Sequence, residues 1–330
     1  MPVEMAAARE VRSPEVVDLR EVRVAALNGL LQEETAEWEA RLGWDFQPSA
    51  DMVRRFVGLR TLAGSALLAG ETVVGYVYIV SEDRKGLIGD LYLSGAYRTA
   101  ANEARLLGAA LTELFEQFAV TRIEAQLMML GSPLSFPLPY ADRLKVHPRH
   151  FMAIPGRRIA ALTPGPAARK ALIEGWTPRR VDEAAGVIAA AYHGHVDSDV
   201  NDQYRSVPGA RRFLNNILQY PGCGAFFAPA SFVALDAWTG RACGVSLASM
   251  LSPGVGHITQ ICVAPVLKGK GLGYELLRSS LVALAEAGCH KASLTVTVAN
   301  ADAVRLYERV GFEKAHDFSA LVWEKALAGG

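Results

Sequence analysis

The stretch of this chain best suited to chemistry is Lys268-Gly-Lys-Gly-Leu-Gly273, entered by the apolar run Ile261-Cys-Val-Ala-Pro265 and left by an apolar-periodic helix over residues 271–287. Gly269, Gly271 and Gly273 carry no Cβ, so the backbone there can reach positive φ and approach a ligand closely. The first N–H groups of the following helix have no intrahelical acceptor, and the aligned peptide dipoles favour negative charge in front of them. Lys268 and Lys270 add two cations, and the whole reads as a cradle for a pyrophosphate. A Walker-type loop would need four residues between its glycines and a Gly-Lys-Ser or Gly-Lys-Thr ending, which this run lacks. A dinucleotide fingerprint would need its third glycine one place later, in an opening βαβ unit, whereas this loop comes late, after antiparallel-looking hairpins.

A second segment narrows the anion. Thr297-Val-Ala-Asn-Ala-Asp-Ala-Val-Arg-Leu-Tyr-Glu-Arg-Val-Gly-Phe312 reads as a strand exit, an N-cap at Asn300, a short helix and a terminating Gly311. With Val263 and Pro265, with Lys268, Gly271 and Gly273 in the loop, and with Asn300, Ala303, Leu306, Tyr307, Glu308, Gly311 and Phe312, the chain resembles the GNAT superfamily of acyl-CoA-dependent N-acetyltransferases. The likeness covers about residues 173 to 325. One departure is Lys268, which stands where an Arg or Gln is usual; a point charge can still face a phosphate.

The resemblance implies acetyl-CoA as cosubstrate, its pyrophosphate on the amides of Gly269, Lys270, Gly271, Leu272, Gly273 and Tyr274. Pantetheine would run between the strands ending near Val263 and Val298. An N–H from the Cys262 to Ala264 region, Cys262 and Val263 included, would face the acetyl carbonyl. Asn300 is either a coenzyme contact or a plain helix cap. Tyr307 matches the superfamily's general acid, and a phenol near pKa 10 stays protonated at neutral pH and can meet a departing thiolate.

An amine acceptor is an ammonium in water, so a proton must leave it. Some members of the superfamily carry a glutamate base on the strand before the loop; counting back from Val263 puts His257 there, with Thr259 on the same face by period two. Gln260 cannot act as a base. His193-Gly-His-Val-Asp-Ser-Asp199, with Asn201 and Asp202, looks like a metal cluster but reads better as a polar connection between helices, and no metal is expected. In GNAT-like folds that connection borders the acceptor, so Asp197 and Asp199 are the candidate contacts for a cationic amine.

The elements that must position these residues recur. Helix is expected over 14–42 and 50–59, strand over 65–68, 73–80 and 87–93, helix over 106–118, strand over 122–130, and a last strand pair over 151–162. The second half repeats the order with helices at 181–192 and 210–218, strands at 226–235, 243–250 and 256–263, the loop helix, and a strand at 292–298. Such a repeat predicts an α/β chain, a mainly antiparallel sheet flanked by helices, in two tandem copies, which the resemblance implies are acyl-CoA N-acyltransferase-like domains. Residues 1–162 would be a degenerate copy, 163–172 a linker around Thr163-Pro-Gly-Pro166, and 173–330 the catalytic domain. Where the second copy has the cradle, the first has Arg98-Thr-Ala-Ala-Asn-Glu103, with no glycine.

The 330 residues exceed what one core usually organises. Lys and Arg number 34 and Asp and Glu 34, which gives no electrostatic reason to expect a nucleic-acid partner or an anionic membrane. No apolar run approaches a membrane span, residues 1–10 lack the order of a signal peptide, and the four cysteines form no CxxC pair. These features predict a cytoplasmic protein, and the resemblance implies an N-acetyltransferase acting on a small-molecule or peptide amine. A non-catalytic acyl-CoA-binding module is the alternative, as is transfer of a longer acyl group or to a non-amine acceptor.

Overall fold

The computed structural model describes residues 14–131, 138–169, 172–220 and 222–325. Residues 1–10, most of the loop expected over 131–139, and residues 170 and 171 of the expected linker lie outside them. By contacts the chain divides into two units. The first takes the chain up to Glu34, Val53–Ile123 and Met129–Ala141; the second takes Thr35–Met52, Glu124–Met128 and the chain from Asp142 on.

The first unit opens on β1 (Glu15–Asp18), followed by α1 (Val24–Leu42) and α2 (Gln47–Gly58). Then come β2 (Gly64–Ala69), β3 (Thr72–Glu82), β4 (Lys85–Leu93), α3 (Ala100–Thr112) and β5 (Arg122–Gln126). α1, α2 and β5 each hold residues of both units. β1 to β4 pair in sequence order, all antiparallel. The helix expected from residue 14 begins only at Val24, because Val16 and Val17 pair with Leu67 and Ala66 as an edge strand; β-branched side chains fit a pleated surface better than a first helical turn.

The second unit contains β6 (Leu144–Pro155), α4 (Gly156–Ile159), β7 (Leu172–Gly175), α5 (Val181–Ala191), α6 (Asp197–Val200) and α7 (Val207–Gln219). These lead to β8 (Ala225–Phe226), β9 (Phe232–Leu235), β10 (Ala242–Ser252), β11 (Val255–Val263), α8 (Leu272–Glu286), β12 (Lys291–Thr297), α9 (Ala301–Val310) and β13 (Glu313–Glu324). Its strand order is β13-β6-β12-β11-β10-β9-β7, with β8 beside β10. Every pair is antiparallel except β11 with β12. Leu276, Leu277, Leu281 and Leu284 of α8 are fully buried on one face of the sheet, with Val310 at the end of α9 and Phe312 just after it in the same core as the last three. Ala184, Ile188, Leu214 and Ile217 of α5 and α7 pack against the other face.

β6 departs from the expectation of a strand pair over 151–162. It is one long strand lying between β12 and β13 in the second unit, and the chain after Pro155 turns into α4. Its charged residues and Pro148 hide the strand pattern in the sequence, while pairing on both edges supplies what local propensity does not.

Candidate functional site

The parallel pair β11/β12 is where the site opens. The two strands pair only over Val255–Ile258 and Lys291–Leu294, yet β11 runs on to Val263 and β12 to Thr297. Beyond Ile258 the strands part, which leaves backbone groups of β11 without a sheet partner on that side. Ala264 N–H is taken by the Cys243 carbonyl of β10 at 2.8 Å. Backbone direction alternates along an antiparallel ladder, so the Val263 amide faces the opening, and within the expected Cys262 to Ala264 region it is the donor left to face a ligand.

A β-bulge sets the side-chain faces. Leu247 pairs with Gln260 and Ala248 with Ile258, so Thr259 is the extra residue. Past the bulge Gln260 joins the side facing α5 and α7: its Oε1 accepts from the Tyr204 hydroxyl at 3.2 Å and its Nε2 donates to the Tyr192 hydroxyl at 3.0 Å. Tyr192 stacks on Tyr204, centroids 4.5 Å apart, and its hydroxyl donates to the Ile261 carbonyl at 3.4 Å. Cys262 packs toward α5 and α7, and burial pushes its thiol up to about 12. That thiol stays protonated at neutral pH and is a poor nucleophile.

β11 then feeds the cradle through a single 3-10 turn, Pro265–Leu267. Gly269 and Gly271 both take positive φ, +74° and +85°, and Gly271 is the N-cap of α8. Nothing lies within 4 Å of where a Gly269 Cβ would be. Leu272 is buried beneath the loop while Gly273 and Tyr274 lie in the first helical turn. Lys270 is exposed, and Lys268 Nζ donates to the Ala191 carbonyl at 3.4 Å, which ties the loop to the end of α5. The expected linker packs here too: the Tyr274 hydroxyl donates to the Thr163 carbonyl at 2.7 Å, and Gly165 N–H donates to the buried Glu275 carboxylate.

At the other end of the opening, Tyr307 of α9 is 7% exposed, and burial first, then the Asp197 charge, pushes its phenol above the ordinary value. The Thr297 hydroxyl donates to Asp197 Oδ1 at 2.5 Å, and His195 Nδ1 lies 3.5 Å from Asp197 Oδ2. Burial first, and the same carboxylate after it, raise Tyr192 and Tyr204. Asp197, Thr297, Tyr307, Tyr192, Tyr204, Gln260 and Cys262 thus meet at the mouth. Asp199 does not join them; its side chain is 55% exposed and lies 3.5 Å from Arg205. Asn300 caps α9, its side chain accepting from Ala303 N–H at 3.3 Å. Among the described residues no group of three His, Cys, Asp or Glu side chains could hold a metal ion.

His257 sits back from the mouth, in the paired part of β11. Its ring is 4% exposed, between Phe151 and Trp44, and Nδ1 shares a 2.9 Å hydrogen bond with Ser293 Oγ. Burial, helped by the Arg149 charge, lowers its pKa to about 3. An imidazole so shifted is neutral at pH 7 and draws a proton from an ammonium only weakly.

Residues 198–312, from α6 through the cradle to Phe312, match the acetyltransferase (GNAT) family. That match covers about a third of the chain. Over 61 residues the chain is 38% identical to the mycothiol acetyltransferase of Corynebacterium jeikeium (strain K411), a stretch that is 18% of each protein. Over 60 residues it is 35% identical to the N-alpha-acetyltransferase MAK3 of Arabidopsis thaliana, 18% of this chain and 32% of that one. These matches therefore span less than a third of those relatives' length. The fold likeness reaches further. A GCN5-related N-acetyltransferase from Sphaerobacter thermophilus aligns over 94% of this chain and 95% of its own with a TM-score of 0.65 at 16% identity. A tandem GNAT protein from the clavulanic acid biosynthesis pathway aligns over 96% and 100%, with 0.58 at 16%. The GNAT fold thus accounts for nearly the whole chain.

Sequence reasoning missed Tyr192, Tyr204, Thr297 and Arg149. The first two carry a faint signal, as tyrosines flanking the acidic connection. Arg149 carries none, because its strand precedes the segment that resembles the family and reaches the site only through its pairing with β12.

Proposed function

We propose that the protein transfers an acetyl group from acetyl-CoA to a primary amine by direct attack in a ternary complex. The observation that carries the reading is the parting of β11 and β12, which leads from the Gly269–Gly271 cradle to Tyr307 and Asp197. The pyrophosphate would lie on the amides of residues 269 to 274. Pantetheine would pair with the free edge of β11, and the Val263 N–H would face the thioester oxygen. Hydrogen bonds to a charged group contribute roughly 1.5–3 kcal/mol each, so several convergent amides supply a large share of the coenzyme's binding energy.

Asp197 would hold the acceptor ammonium and accept its proton or pass it to water. Tyr307 would protonate the departing coenzyme A thiolate. The protonated, half-buried Cys262 argues against an acyl-enzyme on that residue. Two tandem domains, the C-terminal one active, and a cytoplasmic location with its supply of acetyl-CoA belong to the same proposal. Initial rates of thiol release, measured while acetyl-CoA and an amine are varied together, test it. Amine-dependent release with intersecting reciprocal lines is expected; parallel lines, or release that ignores the amine, would contradict direct transfer.

A further inference from the structure

The strand β12 presents two threonines to the acceptor side, and each holds a charge of opposite sign. Thr297 donates to Asp197 at 2.5 Å, and Thr295 Oγ1 accepts from the Arg149 guanidinium at 3.2 Å. Residues two apart on a strand share a face, about 6.6 Å apart along it. Arg149 itself is the pairing partner of Thr297 on β6. Both charges act on the same two phenols, Tyr204 and Tyr307, Asp197 raising them and Arg149 lowering them. Yet no ion pair joins Asp197 to Arg149.

Arg149 also has donors to spare. One terminal nitrogen donates to Gln126 Oε1 at 2.7 Å, the other to Thr295, and Nε is buried without a hydrogen-bond partner. A guanidinium carries five N–H donors in a planar fork matched to a carboxylate. The face of Phe318, 5.8 Å away, holds it in place. Asp197 and Arg149 are thus held by neighbouring threonines of one strand face without pairing with each other, and the buried Arg149 Nε is left for a ligand to satisfy.

We propose that the acceptor is an amphoteric amine, an α-amino acid or a molecule ending in one, whose ammonium meets Asp197 and whose carboxylate meets Arg149. The inference rests on the acetyltransferase reading above. In an α-amino acid one carbon separates the two groups, which suits charges anchored on Thr297 and Thr295, two residues apart on one strand face. A simple amine would leave the guanidinium unmatched, and a buried unmatched polar group is what discriminates strongly between analogues.

The test compares each amino acid with its decarboxylated counterpart, L-phenylalanine with phenethylamine and L-histidine with histamine, by thiol release and by calorimetric titration. Wild type should favour the carboxylate-bearing member by tenfold or more in kcat/KM and in affinity. Arg149→Met should bring that ratio near one, and Arg149→Lys should restore part of it. Equal or better use of the decarboxylated amines, or an unchanged ratio in Arg149→Met, overturns the proposal while leaving the acetyltransferase reading intact. Carboxylate-dependent binding with no thiol release from any amine supports the pocket and overturns the reaction. Neither binding nor release of any member overturns both.

Discussion

At the residue scale, the two groups expected to handle protons lie in different surroundings. Tyr307 was legible because its helix, cap and terminating glycine form a local pattern, and it stands at the opening with its phenol held protonated by burial. Tyr307→Phe should lower kcat by about 10²–10⁴-fold with little change in coenzyme A affinity, as expected for lost acid catalysis; steady-state rates beside a binding titration would check this. His257 was placed correctly on its strand, but a strand position does not reveal what packs over it. Trp44 and Phe151 come from distant segments, and their cover turns a reactive residue type into a buried neutral one. Its folded pKa of about 3 lies below the ordinary 6.5, so the unfolded chain binds the proton first as pH falls. Stability should therefore decline between about pH 6.5 and 3, with His257 contributing about 1.4 kcal/mol of loss by pH 5.5. Urea titrations at pH 7.5 and 5.5 should show that loss, and it should shrink in His257→Gln.

At the element scale, α5, α7, α8 and the strands β10 to β12 of the second unit follow from apolar periodicity, and the cradle follows from its glycines. What period two cannot show is the bulge at Thr259, since nothing in Ile258-Thr-Gln-Ile261 marks an extra residue. The bulge is what carries Gln260 to Tyr192 and Tyr204. Nor does the sequence mark where β11 and β12 stop pairing, because Thr295, Val296 and Thr297 are as β-prone as the paired residues before them. Asn300 illustrates a choice the residue alone leaves open, coenzyme contact or cap; its side chain bonds the α9 N-terminus. Asn300→Ala should cost about 1 kcal/mol of stability, the usual effect of losing an N-cap, and a calorimetric melt would read it. A coenzyme A affinity that fell tenfold in the same variant would give Asn300 the other role as well.

At the scale of the whole molecule, we propose that the chain builds one device twice and completes it once. β4 carries the matching bulge at Gly89, since Tyr78 pairs with Asp90 and Ile79 with Ile88. A 3-10 turn, Gly95–Tyr97, follows β4 as Pro265–Leu267 follows β11, and a helix follows each. The connections then differ. Arg98 and Thr99 lead straight into α3, whereas Lys268, Gly269, Lys270 and Gly271 lead into α8. The shorter connection lacks both positive-φ glycines, and its helix start is closed from within: the Thr99 side chain accepts from Asn102 N–H at 3.3 Å. The missing glycines at Arg98–Glu103 made the difference visible in the sequence; the filled cap and the folded-back Arg98, which donates to the Leu93 carbonyl at 3.1 Å, did not. Calorimetric titration of the full chain with coenzyme A tests this most directly. One site per chain is expected, weakened tenfold or more by Gly269→Val, which puts a side chain into space the structure leaves clear above the loop. Two sites per chain, or an affinity indifferent to Gly269→Val, would contradict it.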